Sequence, residues 1–431
     1  MRKIRENAAG IDIGSKEVFV YAEGQQVKSF PTFTEDLERL VSYLVSLGVK
    51  TVAMEATGIY WFILYAMIEE AGIDAWLVDG RETRQVPGRK TDVKDCQWIQ
   101  ELHCHGLLKR CFVATEKIKE LRDYHRLRED HLRSGSMHVN HMQKAFIQMN
   151  LRLPEVISQV HGVSGLKIVQ AILAGERDPE SLLSLCDPRI IKNKGQEVIK
   201  ALNGRYTESG LFALNQAYQG YCFYQEQIKQ CDKQIERVLR EIDQGKSKGY
   251  TGVKRKPIRH NKPNVHGMGA MLMGIFEGND ATTVSGITDY SWLKLLAETG
   301  TDLSKWPTEK HFTSWAGLAP GQHWSGKKRR NKRKKGKPLV GEIFREIAHS
   351  LINSKNIAIG AFGRRIRAKK GPSVAIKAMA RKLAALYWKV MVKGMDYVEI
   401  GIKSYEELLN KRKRKTLERL ALELKLQLVE A

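Results

Sequence analysis

Apolar and polar residues alternate along Ala8–Ile13 and again along Glu17–Ala22, with Gly14 and Ser15 between the two runs. That pattern predicts two strands joined by a tight turn. Gln26–Phe30 predicts a third strand. Leu37, Leu40, Val41 and Leu44 then recur at helical spacing, so a helix opens at Thr34 and runs through Leu47 to Gly48. Lys50–Ala53 reads as a short strand leading into Glu55. Thr57-Gly58 opens a second helix that runs to Ala71, closed by Gly72. Asp74–Val78 is another strand. A basic loop, Arg81–Lys90, leads into a helix that starts near Thr91 and carries Asp92 and Asp95. The order β-β-β-α-β-α-β-α predicts a mixed sheet with helices on its faces.

Beyond this α/β region the periodicity is helical. Thr115–Asn150 is polar and helical, and Leu151–Leu185 holds shorter helices broken by Gly162, Gly165 and Pro179. Ile228, Cys231, Ile235, Val238 and Ile242 fall at alternating three- and four-residue steps within Tyr224–Asp243. This is a coiled-coil seam of about two heptads, short enough to pack inside one subunit or between two. Gly245–Lys262 reads as a linker. Val-His-Gly occurs at Val160 and at Val265, each time before a helical pattern, a hint of a repeated helix-turn-helix unit. Thr282–Gly326 is dense in turn residues. Helices follow at Leu339–Asn353 and Ser373–Val392, and Tyr405–Val429 is a charged amphipathic helix. The expected domains are 1–110 (α/β), 111–250 (helical, coiled coil), 251–400 (mainly helical) and 401–431 (charged helix).

Composition adds a partner. The net charge of +24 and a pI near 9.7 suggest a polyanion, nucleic acid first. Hydrophobic residues make up 42% of the chain, which fits a globular protein rather than a disordered one. No apolar run reaches the roughly 18–20 residues needed to span a bilayer, and the basic N-terminus lacks the apolar stretch of a signal peptide. A cytoplasmic protein without membrane contact is expected. The six cysteines form no CxxC pair, so no zinc ribbon is supported. His103-Cys104-His105 sits in a helix, where neighbours diverge, and reads as structural.

Three groups of residues could carry chemistry. Asp12 lies between Ile11 and Ile13, a costly place for a carboxylate unless something pairs with it. Glu55 ends a strand, and Asp92 and Asp95, three apart, share a helix face. Carboxylates from two strands and a helix form a hard-ligand set for Mg²⁺ (or Mn²⁺), and two such ions can activate a phosphodiester. Ser325, in GLAPGQHWSG, could be a nucleophile only if a base or metal activates it. Finally, Lys327–Lys337 is almost wholly cationic, with Lys327, Lys328, Arg329, Arg330, Lys332, Arg333, Lys334 and Lys335 all charged. Such a cluster neutralises phosphates without reading sequence.

GIDIGS with Asp12, MEATGIYW with Glu55, and RKTDVKD with Asp92 and Asp95 resemble the DEDD transposases of the insertion-sequence-110 family, relatives of Piv-type invertases. VSGITDYSWLKLLAETG and FTSWAGLAPGQHWSG resemble that family's second conserved domain. The resemblance covers roughly residues 8–106 and 282–390. It implies an N-terminal RuvC-like (ribonuclease H-like) domain whose four acids bind Mg²⁺, and a C-terminal transposase domain whose nucleophilic serine matches Ser325. It also implies strand exchange through a serine–DNA link in a homodimer or homotetramer, guided by a structured RNA from the element, on the nucleoid of a prokaryote. The chain departs from the pattern at Val284-Ser285-Gly286-Ile287, where the usual proline is missing.

Three other classes compete. A RuvC-like junction nuclease, or an invertase without an RNA guide, shares the acids. An actin-like or sugar-kinase-type ATPase shares the DIGS turn, but the chain has no convincing second phosphate turn. A non-catalytic RNA-binding protein would need no metal.

Overall fold

The computed structural model describes residues 3–83, 92–250, 261–320, 324–325, 328–329, 338–354 and 357–427. The chain forms two compact units, Met1–Val113 and Ala114–Ala431.

The first unit is built on a five-stranded sheet. Its strands are β1 (Ala8–Ile13), β2 (Glu17–Ala22), β3 (Lys28–Pro31), β4 (Thr51–Glu55) and β5 (Asp74–Val78), in the order β3-β2-β1-β4-β5. β1, β2 and β3 pair antiparallel, while β1, β4 and β5 run parallel. β3 starts two residues later than the pattern predicts and ends on Pro31, which suits an edge strand because proline donates nothing to a ladder. The helices are α1 (Thr34–Ser46), α2 (Trp61–Glu70), α3 (Gly80–Thr83) and α4 (Asp92–Cys104). The sheet's two faces divide by residue parity. Ala9, Ile11, Ile13, Val52, Met54, Ala75 and Leu77 pack into one core with Leu37, Leu40, Leu44, Leu64 and Ile68 of α1 and α2. Ala53 and Val78 face the other way and pack with Ile99 and Leu102 of α4. Two expected boundaries are corrected. α2 begins at Trp61 rather than Thr57, because Gly58 takes a left-handed φ of 54° that cannot continue into a helix. The basic loop, in turn, begins with the short turn of α3.

The second unit is helical. α5 (Glu116–Gln148) and α10 (Glu208–Asp243) form an antiparallel hairpin about 50 Å long at 1.5 Å per residue. Lys117 pairs with Glu241, Glu120 with Arg237, and Arg128 with Asp232. Further along, Gly220 makes room for the His138 ring. At that end α6 (Leu153–Val156), α7 (Val163–Leu173), α8 (Pro179–Ser184) and α9 (Pro188–Leu202) share a core with Met142, Phe146 and Leu214. Ile228, Cys231, Ile235 and Val238 are buried within this hairpin, so the heptad seam closes inside one chain. Ile242 is only half-buried; Asp243 takes the buried place and accepts a hydrogen bond from Ser247 at 2.7 Å. Each Val-His-Gly does precede a helix, α7 or α11 (Met268–Ile275).

The remaining elements are α12 (Asp289–Thr299), α13 (Glu309–Trp315), the short strands β6 (Trp324–Ser325) and β7 (Lys328–Arg329), α14 (Leu339–Leu351), α15 (Ala358–Lys370), α16 (Pro372–Lys393) and α17 (Met395–Leu424). α16 is central, burying Met379, Leu383, Tyr387 and Trp388. The Trp388 indole N–H donates to the carbonyls of Leu303 and Trp306, both at 3.1 Å. The basic helix α15 has no counterpart in the sequence expectation. The terminal helix starts ten residues earlier than Tyr405, directly after Gly394.

Candidate active site

The parallel register fixes where the acids stand. Ile11 of β1 pairs with Met54 of β4, so the next rung sets Asp12 beside Glu55. Glu55 in turn pairs with Val78 of β5, and Asp79 follows. Three carboxylates therefore end three adjacent parallel strands, the edge where open α/β sheets take up ligands.

Helix α4 closes over this edge. Gly10 lies so near it that a Cβ would meet the Cys96 carbonyl at 2.3 Å and the Gln100 nitrogen at 2.4 Å. Side chains at Ala8, Gly10 and Asp12 share a face, so Asp12 points to the first turn of α4. Asp92 opens that turn and Asp95 lies within it. Electrostatics agree: burial pushes the Cys96 thiol up to about 12, and the nearby Asp12 and Asp95 carboxylates push in the same direction.

Glu55 is held in place. The buried Thr83 hydroxyl donates to its Oε2 at 2.9 Å, and the Trp98 indole N–H fixes the Thr83 carbonyl at 3.0 Å. The Glu55 carboxylate lies directly over Gly80, where an added Cβ would come within 2.1 Å of Oε1. Asp79 and Thr83 are absent from the sequence reading. The signal for Asp79 is plain in retrospect: an aspartate followed by glycine at the end of an apolar strand, as in Leu77-Val78-Asp79-Gly80.

Among the described residues, no three His, Cys, Asp or Glu side chains form a ready cage for a metal. Mg²⁺ does not require one, since it commonly binds one or two carboxylates and completes its shell with water and substrate phosphate. Asp12 and Glu55, hard oxygen donors side by side, fit that pattern. His103, at the far end of α4, belongs to the packing. Its Nε2 lies 2.9 Å from the Thr51 hydroxyl, and burial lowers its pKa to about 4. All six cysteines are free thiols.

In the second unit, Ser325 lies on β6, which pairs with β7 in the register Trp324↔Arg329 and Ser325↔Lys328. Lys328 and Arg329 thus form a strand beside the serine. Lys327, Arg330, Lys332, Arg333, Lys334 and Lys335 lie outside the described residues.

Comparison with known families matches two stretches. A transposase model named for DEDD enzymes of IS110 matches residues 9–150, which include Asp12, Glu55, Asp92 and Asp95. A model described as transposase, IS116/IS110/IS902 family, matches residues 279–362, which include Ser325. No curated protein matches the chain. Two matches, separate in sequence, agree on one family: the chain belongs to the IS110 family of DEDD transposases.

Proposed function

We propose that the chain cuts and rejoins DNA strands through Asp12, Glu55, Asp92 and Asp95 as holders of a divalent cation, with Ser325 as nucleophile. The observation that carries this reading is the side-by-side placement of Asp12 and Glu55 on adjacent strands, on the face covered by the helix of Asp92 and Asp95. A bound Mg²⁺ or Mn²⁺ would supply a Lewis acid at a phosphodiester and offset its charge. Thr83 keeps the Glu55 carboxylate turned to the strand edge, and Gly80 leaves it room.

The serine step is a phosphoryl transfer. Ser325 Oγ attacks phosphorus and loses its proton, and one DNA oxygen leaves and gains a proton, so a phosphoserine diester replaces the DNA linkage. A hydroxyl of a second strand then reverses the exchange and restores Ser325. Sequence choice falls to an element-encoded guide RNA. That division suits a protein whose Lys327–Lys337 run can bind phosphates without reading bases. The working form is a homodimer or homotetramer, acting in the prokaryotic cytoplasm on the nucleoid, and the functional segments are 1–110, 111–250, 251–400 and 401–431.

The test is a suicide DNA substrate, scored for a protein–DNA adduct that survives denaturation. Wild type should form it in Mg²⁺, while Ser325→Ala and Asp12→Asn should not, with DNA binding kept. An adduct that persists in Ser325→Ala moves the nucleophile elsewhere. Cleavage that persists without an adduct favours a RuvC-like nuclease.

A further inference from the structure

No aspartate or glutamate occurs between Glu346 and Asp396, while α15 and α16 together carry ten lysines and arginines. These helices join at Gly371 and form a hairpin held by apolar contact. A Cβ at Gly363 would meet the Met379 sulfur at 2.1 Å, so the helices approach closely there. Arg364 and Arg367 brace the neighbouring segment. Arg364 donates to the Ser354 carbonyl, and Arg367 donates to Asn353 Oδ1 at 3.0 Å, both just past the end of α14.

A second set crowds together. Arg365 and Lys382, one from each helix, flank the Phe362 ring at 5.8 and 5.1 Å from its centre. Lys389 lies two turns further along α16, 3.9 Å from Glu309. Burial lowers the Lys382 pKa, and Arg365 and Lys389 lower it further by like-charge repulsion. Like charges gathered this closely repel one another, and a polyanion laid against them offsets that repulsion.

We infer that the α15–α16 hairpin is a phosphate-tracking face for duplex DNA, separate from the Lys327–Lys337 run. The inference rests on the reading that the chain acts on DNA. Spacing suits a duplex: Lys382 and Lys389 are seven helical residues apart, a rise of about 10.5 Å, or about three base-pair steps of 3.4 Å. Single-stranded partners are less well served, because they are gripped by stacking bases on exposed aromatic rings. Here Tyr387 and Trp388 are buried, and Phe362 is half-buried between two cations. The matched family region ends at residue 362, so most of this face lies beyond it.

The experiment measures binding of the full chain to a random-sequence DNA duplex across salt concentrations. The triple variant Arg365→Gln, Lys382→Gln, Lys389→Gln should lower the slope of log K against log salt by about 2.7, at 0.9 per phosphate contact. Affinity near 0.1 M salt should fall by a few hundredfold. The charge-keeping variant Arg365→Lys, Lys382→Arg, Lys389→Arg should retain the wild-type slope, which separates lost charge from lost fold. A triple-Gln slope equal to wild type overturns the inference while leaving the DNA reading intact. Wild type with no salt-dependent DNA binding overturns both. A slope change seen with duplex or single-stranded RNA but not with DNA assigns the face to RNA and overturns the inference as stated.

Discussion

Arg128 is the residue whose loss should cost the second unit most. It is 2% exposed, and its partner Asp232 is 5% exposed. Its guanidinium donates to Asp232, to the Asn261 carbonyl at 2.9 Å and to the Tyr290 hydroxyl at 3.3 Å. Asp232 also accepts the Asn264 backbone N–H at 2.9 Å. One buried pair thus ties α5, α10, the 261–264 segment and α12 together. Arg128→Ala strands a buried carboxylate, which costs about 3–5 kcal/mol. With an m-value of about 3 kcal/mol/M in urea, the midpoint should drop by roughly 1–1.7 M. Arg128→Met with Asp232→Asn removes both charges, keeps the volume and leaves an acceptor for Asn264. That double variant should lose only about 1–2 kcal/mol, the cost of one or two unmade hydrogen bonds. The assay is urea unfolding of the full chain followed by helical circular dichroism, in a double-mutant cycle. A double variant as unstable as the sum of its singles would refute the reasoning, because it would mean the pair has no coupling.

Three further outcomes are expected. Gly10→Ala should push α4 off the sheet, costing about 1–3 kcal/mol of stability and most strand-cleavage activity; unchanged thermal unfolding would contradict the close approach of α4 and β1. His103 and His125, both lowered to about 4 by burial, stay neutral in the native state while the unfolded chain takes up protons near 6.5. Their contribution is intact above pH 6.5 and is lost as pH falls toward 4, so the urea midpoint should drop between pH 7 and 5, and less so in His103→Asn. Chelating divalent cations should abolish adduct formation while changing DNA affinity less than twofold, as read by anisotropy; a large loss of binding would place the metal in the anchoring step.

The first unit was legible because its faces are written in parity. Ile11 and Ile13 point to one core and Gly10 and Asp12 to the other side, and a period of two admits one register. The acids followed, since a strand-end carboxylate between isoleucines needs a partner. Asp79 was not anticipated because an Asp-Gly after a strand also describes an ordinary turn; only the parallel pairing of β4 with β5, which sets Val78 opposite Glu55, brings Asp79 to the same end of the sheet. Helix α15 was missed for a different reason. Its buried positions are Ile359, Gly360 and Gly363, and glycines leave no hydrophobic stripe to read. The partner of the heptad seam was equally hidden, because sequence spacing gives a helix an apolar face without saying which helix covers it.

Charge is not spread evenly, and that bears on how the acids can work on DNA. Residues 1–113 hold 14 Lys or Arg and 16 Asp or Glu, a net −2, which leaves +26 for residues 114–431. The unit that carries Asp12, Glu55 and Asp79 is therefore close to neutral, and its net charge offers a phosphate backbone little attraction. Within the second unit several acids are paired: Asp232 with Arg128, Glu298 with Arg126, and Glu120 and Glu241 with Arg237 and Lys117. Those pairs hold the long hairpin and α12, whereas the stretch from Ile347 to Met395 contains no acid of its own. On the proposed reading, the acids stand in the first unit, while Ser325 and most of the positive charge stand in the second. On that reading the helical unit would supply a salt-dependent grip on DNA, and the sheet edge would act only once its carboxylates are charge-compensated. A cut would then require both a captured duplex and a loaded site.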